Sequence, residues 1–167
     1  MHHRGSGFAV QASGRFVGKQ QGRSGDEGPR QSAYLMKGMG RVRFQITTSV
    51  QKTQLFFAQG VAQLHGFWHF EAERSFRQAA MLDPDCAMTY WGMAVANRNN
   101  PERAKGFIEE AKKRKNKASN HEQLWIESEV NYWADTKKAK KDRRRKMVRD
   151  LEAIIYDYPE DIEAKAF

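Results

Sequence analysis

FFAQGVA at residues 56–62 and YWGMAVA at residues 90–96 share one pattern at an offset of 34 residues. In each stretch two bulky residues precede small ones, and a third bulky pair follows after another 34 residues. The pairs are Phe56–Phe57, Tyr90–Trp91 and Leu124–Trp125. Small residues let a neighbouring helix approach closely, and bulky ones fill the space beside it. The offset therefore predicts stacked helical units.

A second set of apolar residues repeats in the other half of each unit. Its members are four and then three residues apart, which keeps them on one face of a helix. The sets are Ala72–Phe76–Ala79, Ala104–Ile108–Ala111 and Met147–Leu151–Ile154. Pro84 recurs as Pro159 at an offset of 75, seven more than two periods of 34. We expect the seven extra residues at 135–141, DTKKAKK, between the two helices of the third unit.

Capping residues indicate where the helices begin. Two pairs, Asp83–Pro84 and Asn100–Pro101, are typical of an N-cap followed by proline at the first helical position. Ser119 and Glu122 have the spacing of a capping box. The predicted helices are 51–65, 68–82, 84–98, 101–116, 120–134, 137–157 and one from 160 onward.

These elements predict an all-α fold, a superhelical stack of antiparallel helical hairpins. The predicted units are 51–83, 84–118, 119–158 and the start of a fourth at 159–167. A stacked repeat leaves an apolar face at its end unless a polar helix caps it. We therefore expect further repeats beyond residue 167.

The first 50 residues differ in composition from the repeats. The 167-residue chain has a formal net charge of +9, of which +6 lies in residues 1–50 together with nine of the 13 glycines. Such a composition buries too little apolar surface to offset the entropy of ordering, so we expect residues 1–37 to form a disordered arm. In residues 38–50, Val42, Phe44 and Ile46 alternate, which indicates an extended lead-in.

Composition also excludes several classes of protein. Cys86 is the single cysteine, so neither a disulfide framework nor a zinc site built on paired cysteines is available. No apolar run is long enough to span a membrane, and no secretory signal is visible. We expect a cytoplasmic protein, or an exported one if the true start of the chain differs.

The unit that begins at Phe56 resembles a tetratricopeptide repeat. The matching positions are an aromatic residue, a small residue, an apolar trio and a closing proline, namely Phe56, Gly60, Ala72, Phe76, Ala79 and Pro84. Gln63 departs from the family pattern, which has an aromatic residue there. The run EAERSFRQAAMLDPDCAMTYWGMAVAN at 71–97 resembles more narrowly the first repeats of large bacterial proteins of this family, found notably in planctomycetes. Further repeat-structural positions are Ala94, Ala104, Ile108, Ala111, Leu151, Ile154 and Pro159.

The resemblance implies a scaffold that binds a peptide or a partner protein in a concave groove. Carried onto this sequence, the groove positions are Phe57, Val61, Met88, Trp91, Arg98, Trp125, Glu129 and Tyr132. Phe57, Trp91 and Trp125 form a ladder, one aromatic residue in each unit. Either these rings contact a partner, or they fill space between hairpins and touch no ligand. Arg98 and Glu129 are predicted to recognise the charges of a bound peptide.

Other candidate sites are weaker. His65 and His69 have the spacing of a metal-binding pair, but Gly66 and the repeat register place a turn between them, so no metal site is predicted. His121 is expected to be an exposed residue of a first helical turn. No phosphate loop, nucleophile motif or cofactor motif is present, so neither catalytic residues nor a cofactor are predicted.

Two basic runs remain, Lys112–Lys117 and Lys137–Lys146. The first closes a helix, where cations interact favourably with the helix dipole. The second has one acidic residue, Asp142, among eight basic ones. Residues 137–146 therefore predict an alternative function, electrostatic nucleic-acid binding that weakens with salt.

Overall fold

The computed structural model describes residues 28–167. Within that range the chain forms seven α-helices, one short 3₁₀ turn at Lys115–Lys117 and no strand. The all-α prediction is confirmed. The helices are α1 Gln51–His65, α2 His69–Leu82, α3 Ala87–Ala96, α4 Pro101–Arg114, α5 Asn120–Ala134, α6 Lys140–Asp157 and α7 Ile162–Ala166. Most of the predicted disordered arm, residues 1–27, lies outside the described residues.

Consecutive helices pack as hairpins. α1 pairs with α2, α3 with α4 and α5 with α6, and α3 also contacts α1 and α5. The hairpins are closed by residues 66–68, 97–100 and 135–139, which we call the hairpin tips. None of the helices in residues 28–167 combines the length and the apolar character needed to cross a bilayer.

The aromatic ring of Phe76 sets the spacing of the first three helices. This ring on α2 is fully buried between Gly60 of α1 and Gly92 of α3. A Cβ atom added to Gly60 would lie 2.6 Å from the ring, and one added to Gly92 would lie 2.5 Å from it. Both helices therefore reach Phe76 only because these two positions carry no side chain.

The predicted repeat-structural residues are buried except for the two prolines. Pro84 and Pro159 lie in exposed turns, and the other positions line the core. Gln63, the departure from the family pattern, is 1% exposed and accepts a hydrogen bond from the Ser75 hydroxyl at 2.7 Å. Gln59 donates to the same hydroxyl at 3.0 Å. A chain of hydrogen bonds from Gln59 through Ser75 to Gln63 thus occupies a position where the family has an aromatic side chain.

Two of the three predicted caps are confirmed. Asn100 accepts a hydrogen bond from the Arg103 backbone N–H at 3.3 Å, and Ser119 forms a capping box with Glu122. The prediction that Asp83 caps a helix beginning at Pro84 is wrong, because α3 begins at Ala87. Asp83 instead accepts a hydrogen bond from the Thr48 hydroxyl at 2.5 Å. Its carboxylate anchors the lead-in and not the helix.

The segment before α1 is irregular but attached to the helices. Gln59 binds the backbone on both sides of Leu35: its side chain accepts from the Met36 N–H at 2.7 Å and donates to the Tyr34 carbonyl at 3.0 Å. Further on, Phe44 and Ile46 are buried while the residues between and beside them are exposed. The lead-in, residues 38–50, thus has the predicted alternation without forming a strand.

We predict that Gly60→Ala and Gly92→Ala lower the free energy of unfolding by about 1–3 kcal/mol, because the Phe76 ring must move to admit a methyl group. Gly106→Ala is the matched control: a Cβ atom there meets no atom within 4 Å. It is expected to raise stability by up to about 1 kcal/mol through helix propensity. Thermal unfolding followed by far-UV circular dichroism checks all three. Stabilisation by either core substitution would contradict the close packing.

Candidate functional site: the aromatic ladder and the segments that cover it

The three ladder residues lie together in the structure. The ring centroids of Phe57 and Trp91 are 6.3 Å apart, and those of Trp91 and Trp125 are 5.3 Å apart. Their side chains are 0%, 0% and 1% exposed. The 34-residue offset therefore brings one aromatic ring from each of α1, α3 and α5 into a continuous row.

The lead-in covers this row from one side. The Phe44 ring lies 5.4 Å from Phe57, 5.8 Å from Trp91 and 5.1 Å from Trp125, measured between centroids. Gln54 holds the segment in place, because its side chain binds the Phe44 carbonyl and the Ile46 N–H, each at 2.9 Å. One extended segment thus places an aromatic side chain against all three ladder rings.

Glu122 binds the lead-in at Thr47, next to the residues that Gln54 holds. Its carboxylate accepts hydrogen bonds from the backbone N–H of Thr47 at 2.7 Å and from the Thr47 hydroxyl. Glu122 is 2% exposed, so its charge is satisfied by these donors and by the capping box. The side chain predicted to cap α5 therefore also recognises the backbone of a second segment.

The C-terminal segment, residues 158–167, covers the row from another direction. The Phe167 ring lies 5.8 Å from Trp91, 5.7 Å from Trp125 and 5.0 Å from the His65 ring. Glu163 pairs with His65, with 2.6 Å between the carboxylate oxygen and Nε2. The Glu163 carboxylate of α7 and the Phe167 ring that follows this helix are thus bound by residues of three earlier helices.

Asp161 is the second acidic anchor of this segment. Its carboxylate accepts hydrogen bonds from Trp125 Nε1 at 2.9 Å and from the Ala164 N–H at 2.9 Å, and it lies 2.6 Å from His121 Nε2. Burial raises the pKa of this carboxyl, but the His121, Ala164 and Trp125 hydrogen bonds outweigh burial, and the net pKa lies below the ordinary 3.8. His121, predicted to be an exposed first-turn residue, is instead a partner of Asp161.

The structure differs from the predicted open groove. Phe57, Val61, Met88, Trp91, Trp125, Glu129 and Tyr132 are all buried. Of the two interpretations of the ladder, the space-filling one describes this arrangement, since Phe44 and Phe167 occupy the surface that a partner would contact. The sequence contained one signal for Phe44, the alternation of the lead-in, and none for Phe167.

Arg98 and Glu129 satisfy each other across neighbouring hairpins. Arg98 Nη2 lies 2.6 Å from Glu129 Oε2 and Nε lies 3.2 Å from Oε1. Trp133 Nε1 donates to the same carboxylate at 2.9 Å, and the Arg98 guanidinium lies over the Tyr132 ring at 5.5 Å. Glu129 is fully buried, so the pair links the second hairpin tip to α5 and leaves no charge free to bind a peptide.

A small cleft of about 180 Å³ lies near the start of α3. Its lining includes Asp83, Asp85, Cys86 and Glu122. Each carboxylate has a partner: Thr48 for Asp83, Lys117 for Asp85 at 2.8 Å and Thr47 for Glu122. Burial raises the pKa of the Cys86 thiol to about 12, so the thiolate needed for nucleophilic attack does not form near neutral pH.

The histidine pair His65–His69 is separated by the first hairpin tip, as predicted, since α1 ends at His65 and α2 begins at His69. Among residues 28–167 no group of three His, Cys, Asp or Glu side chains is placed to hold a metal ion. The basic run at 112–117 is partly paired: Lys113 binds Glu110, and Lys115 lies 2.8 Å from Glu127.

No protein-family model, curated protein or solved structure matches this chain.

We predict that Arg98→Met lowers stability by about 2–3 kcal/mol, because it leaves the buried charge of Glu129 without its cation. The double variant Arg98→Met/Glu129→Gln should be more stable than Arg98→Met, since the amide keeps an acceptor for Trp133 without a charge. Urea denaturation of the wild type and the two variants measures the difference. A double variant less stable than Arg98→Met would contradict this account.

We also predict a pH dependence from Asp161. Because its folded-state pKa is lowered, the stabilisation it provides is complete above its ordinary value of 3.8 and is lost as the pH falls through the folded-state pKa. Asp161→Asn should therefore lower the melting temperature near neutral pH, and its difference from the wild type should shrink below about pH 3.8. A difference that is constant from about pH 6 to pH 3 would exclude this contribution.

Proposed function

We propose that this chain is a protein-binding scaffold of the tetratricopeptide type and that its ladder holds a short segment of a partner protein. The observation that supports this most is the way in which the ladder binds segments of its own chain. Phe44 and Phe167 belong to separate stretches outside the three hairpins, and both insert an aromatic ring against Trp91 and Trp125. The same two tryptophan rings thus accept an aromatic side chain from two different segments of the chain.

The chemistry around the ladder suggests what such a segment contains. His65, His121 and the Trp125 indole N–H all contact carboxylates of the C-terminal segment. A partner segment that takes the place of residues 158–167 would therefore carry an aromatic residue with acidic residues on its N-terminal side. Peptide recognition of this kind combines a buried aromatic anchor with charge-assisted hydrogen bonds at its edge.

The indole N–H of Trp91 is a second observation that favours a ligand at the ladder. The Nε1 atom is buried and has no hydrogen-bond partner. Leaving a buried N–H unpaired costs about 1–3 kcal/mol, so a segment that offers an acceptor near Trp91 gains this free energy on binding. The C-terminal segment contacts the Trp91 ring but leaves this donor unused.

The proposal is a binding role without catalysis. The carboxylates that line the cleft near α3 are explained by partners of their own, and the only thiol is buried. The alternative, electrostatic nucleic-acid binding through residues 137–146, has one supporting observation: most of its basic side chains are exposed. No aromatic side chain within 137–146 could stack on bases, so such binding would depend on phosphate contacts.

A peptide competition tests the scaffold proposal with the full chain. The probe is a fluorescent synthetic peptide of residues 158–167, YPEDIEAKAF, with an amidated C-terminus. In the wild type it competes with the tethered segment, whose effective concentration is in the millimolar range. The variant Asp161→Asn/Phe167→Ala weakens the tethered segment, so the probe should bind this variant at least about tenfold more tightly than the wild type.

Two controls complete the competition. Ile162→Ala changes an exposed side chain of the same segment and should leave the affinity for the probe at the wild-type level. A probe in which Phe167 is replaced by alanine should lose binding to every chain. Equal binding of both probes, or no binding to the Asp161→Asn/Phe167→Ala variant, would refute the ladder as a segment-binding surface.

A further inference from the structure

The first hairpin tip places phenylalanine where helices normally use glycine. The Trp68 N–H binds the Gln63 carbonyl at 2.8 Å and the Phe67 N–H binds the Leu64 carbonyl at 3.0 Å. These two bonds form a Schellman motif, whose left-handed position is usually glycine. Here Gly66 has φ −79° and Phe67 has φ +59°. A residue with a Cβ atom is strained in this conformation.

Burial within the chain does not compensate for this strain. Phe67 is 82% exposed, Trp68 is 53% exposed and Phe70 is 55% exposed. The Arg74 guanidinium lies over the Phe70 ring at 5.5 Å, and the Phe67 and His69 rings meet edge to face with centroids 6.4 Å apart. We call Phe67, Trp68 and Phe70 the aromatic tip. No contact within the fold compensates for the backbone strain at Phe67, and the neighbouring aromatic side chains are exposed. This combination indicates that the aromatic tip contacts something outside the chain.

Contacts between neighbouring hairpins show that the tips lie along one edge. Glu73, in the first turns of α2, accepts a hydrogen bond from Asn97 at the second tip at 3.0 Å. Lys105, in the first turns of α4, donates to Thr136 at the third tip at 3.5 Å. The first and third tips are thus two hairpins apart, roughly 20 Å at ordinary helix spacing.

The third tip and the start of α6 are strongly basic. Lys137, Lys138, Lys140, Lys141 and Arg144 are all exposed, and we call them the basic tip. Lys138 lies 3.7 Å from Asp135, and the other four make no ion pair with any of residues 28–167. The edge therefore has exposed aromatic rings at one end and unpaired cations at the other.

We propose that this edge docks on an anionic membrane surface, with the aromatic tip in the interfacial layer and the basic tip against the headgroups. Tryptophan and phenylalanine favour this interface, and lysines near a membrane bind acidic lipids. A planar partner can contact both tips at once. A nucleic-acid strand would need cations along the edge between them, where Arg98 and Arg103 bind the buried Glu129 and Glu73.

Vesicle co-sedimentation of the full chain tests the proposal. The probes are vesicles of phosphatidylcholine, with and without about 30% phosphatidylserine. Binding is expected only to the anionic vesicles. Both Phe67→Ser/Trp68→Ser and Lys137→Gln/Lys140→Gln/Lys141→Gln should weaken it at least about tenfold. The matched controls, Tyr156→Ser and Lys112→Gln/Lys113→Gln, change exposed residues elsewhere and should leave it unchanged.

Phe67→Gly separates docking from folding. Glycine removes the strain at φ +59°, so this variant should melt at a higher temperature than the wild type while it binds anionic vesicles several-fold more weakly. A single-stranded RNA oligonucleotide is the second probe. Three results would overturn the proposal: no binding to anionic vesicles, binding that the aromatic substitutions leave unchanged, or tighter binding to RNA through the same lysines.

The membrane surface and the ladder are tested independently. The vesicle variants change the aromatic tip and the basic tip, and the peptide variants change residues 161 and 167. Failure of vesicle binding leaves the peptide competition intact, and the reverse also holds.

Discussion

The close approach of α1 and α3 to the Phe76 ring is the constraint on which the rest of the structure depends. Gly60 and Gly92 both lie against this fully buried ring, and no larger residue fits at either position without moving it. This packing fixes the distance between the first and second hairpins. It thereby aligns Phe57 with Trp91, and the third hairpin continues the row with Trp125.

Buried charges in this chain are placed where separate segments meet. Glu122 joins the lead-in to α5, Glu129 joins α5 to Arg98, and Glu73 binds Asn97 and Arg103 of the neighbouring hairpin. Each is almost fully buried and satisfied by donors from another element. A buried carboxylate is costly without such donors, so these contacts specify how the hairpins meet more than they add net stability.

The ladder and the aromatic tip illustrate two ways in which a helical-hairpin protein presents aromatic residues. On the ladder, the rings are enclosed by Phe44 and Phe167, and acidic side chains hold the covering segment at its edges. At the aromatic tip, the rings are exposed on a strained turn and nothing in residues 28–167 encloses them. The net charge of +9 says little about binding when it is taken over the whole chain. Its relevant part is the group of exposed cations of the basic tip, at the third hairpin tip and the start of α6.

The sequence by itself determined the helices and most of their boundaries, because periodicity, proline and capping residues act within a few positions of the chain. Asn100 and the Ser119–Glu122 box show this, and the ladder followed from the 34-residue offset. Asp83 was misassigned because its partner, Thr48, lies 35 residues away in the chain. Which segments cover the ladder, and the pairing of Arg98 with Glu129, were decided only by the tertiary structure. The reason is physical: Phe44 and Phe167 meet the ladder across long sequence separations, and no local pattern encodes such a contact.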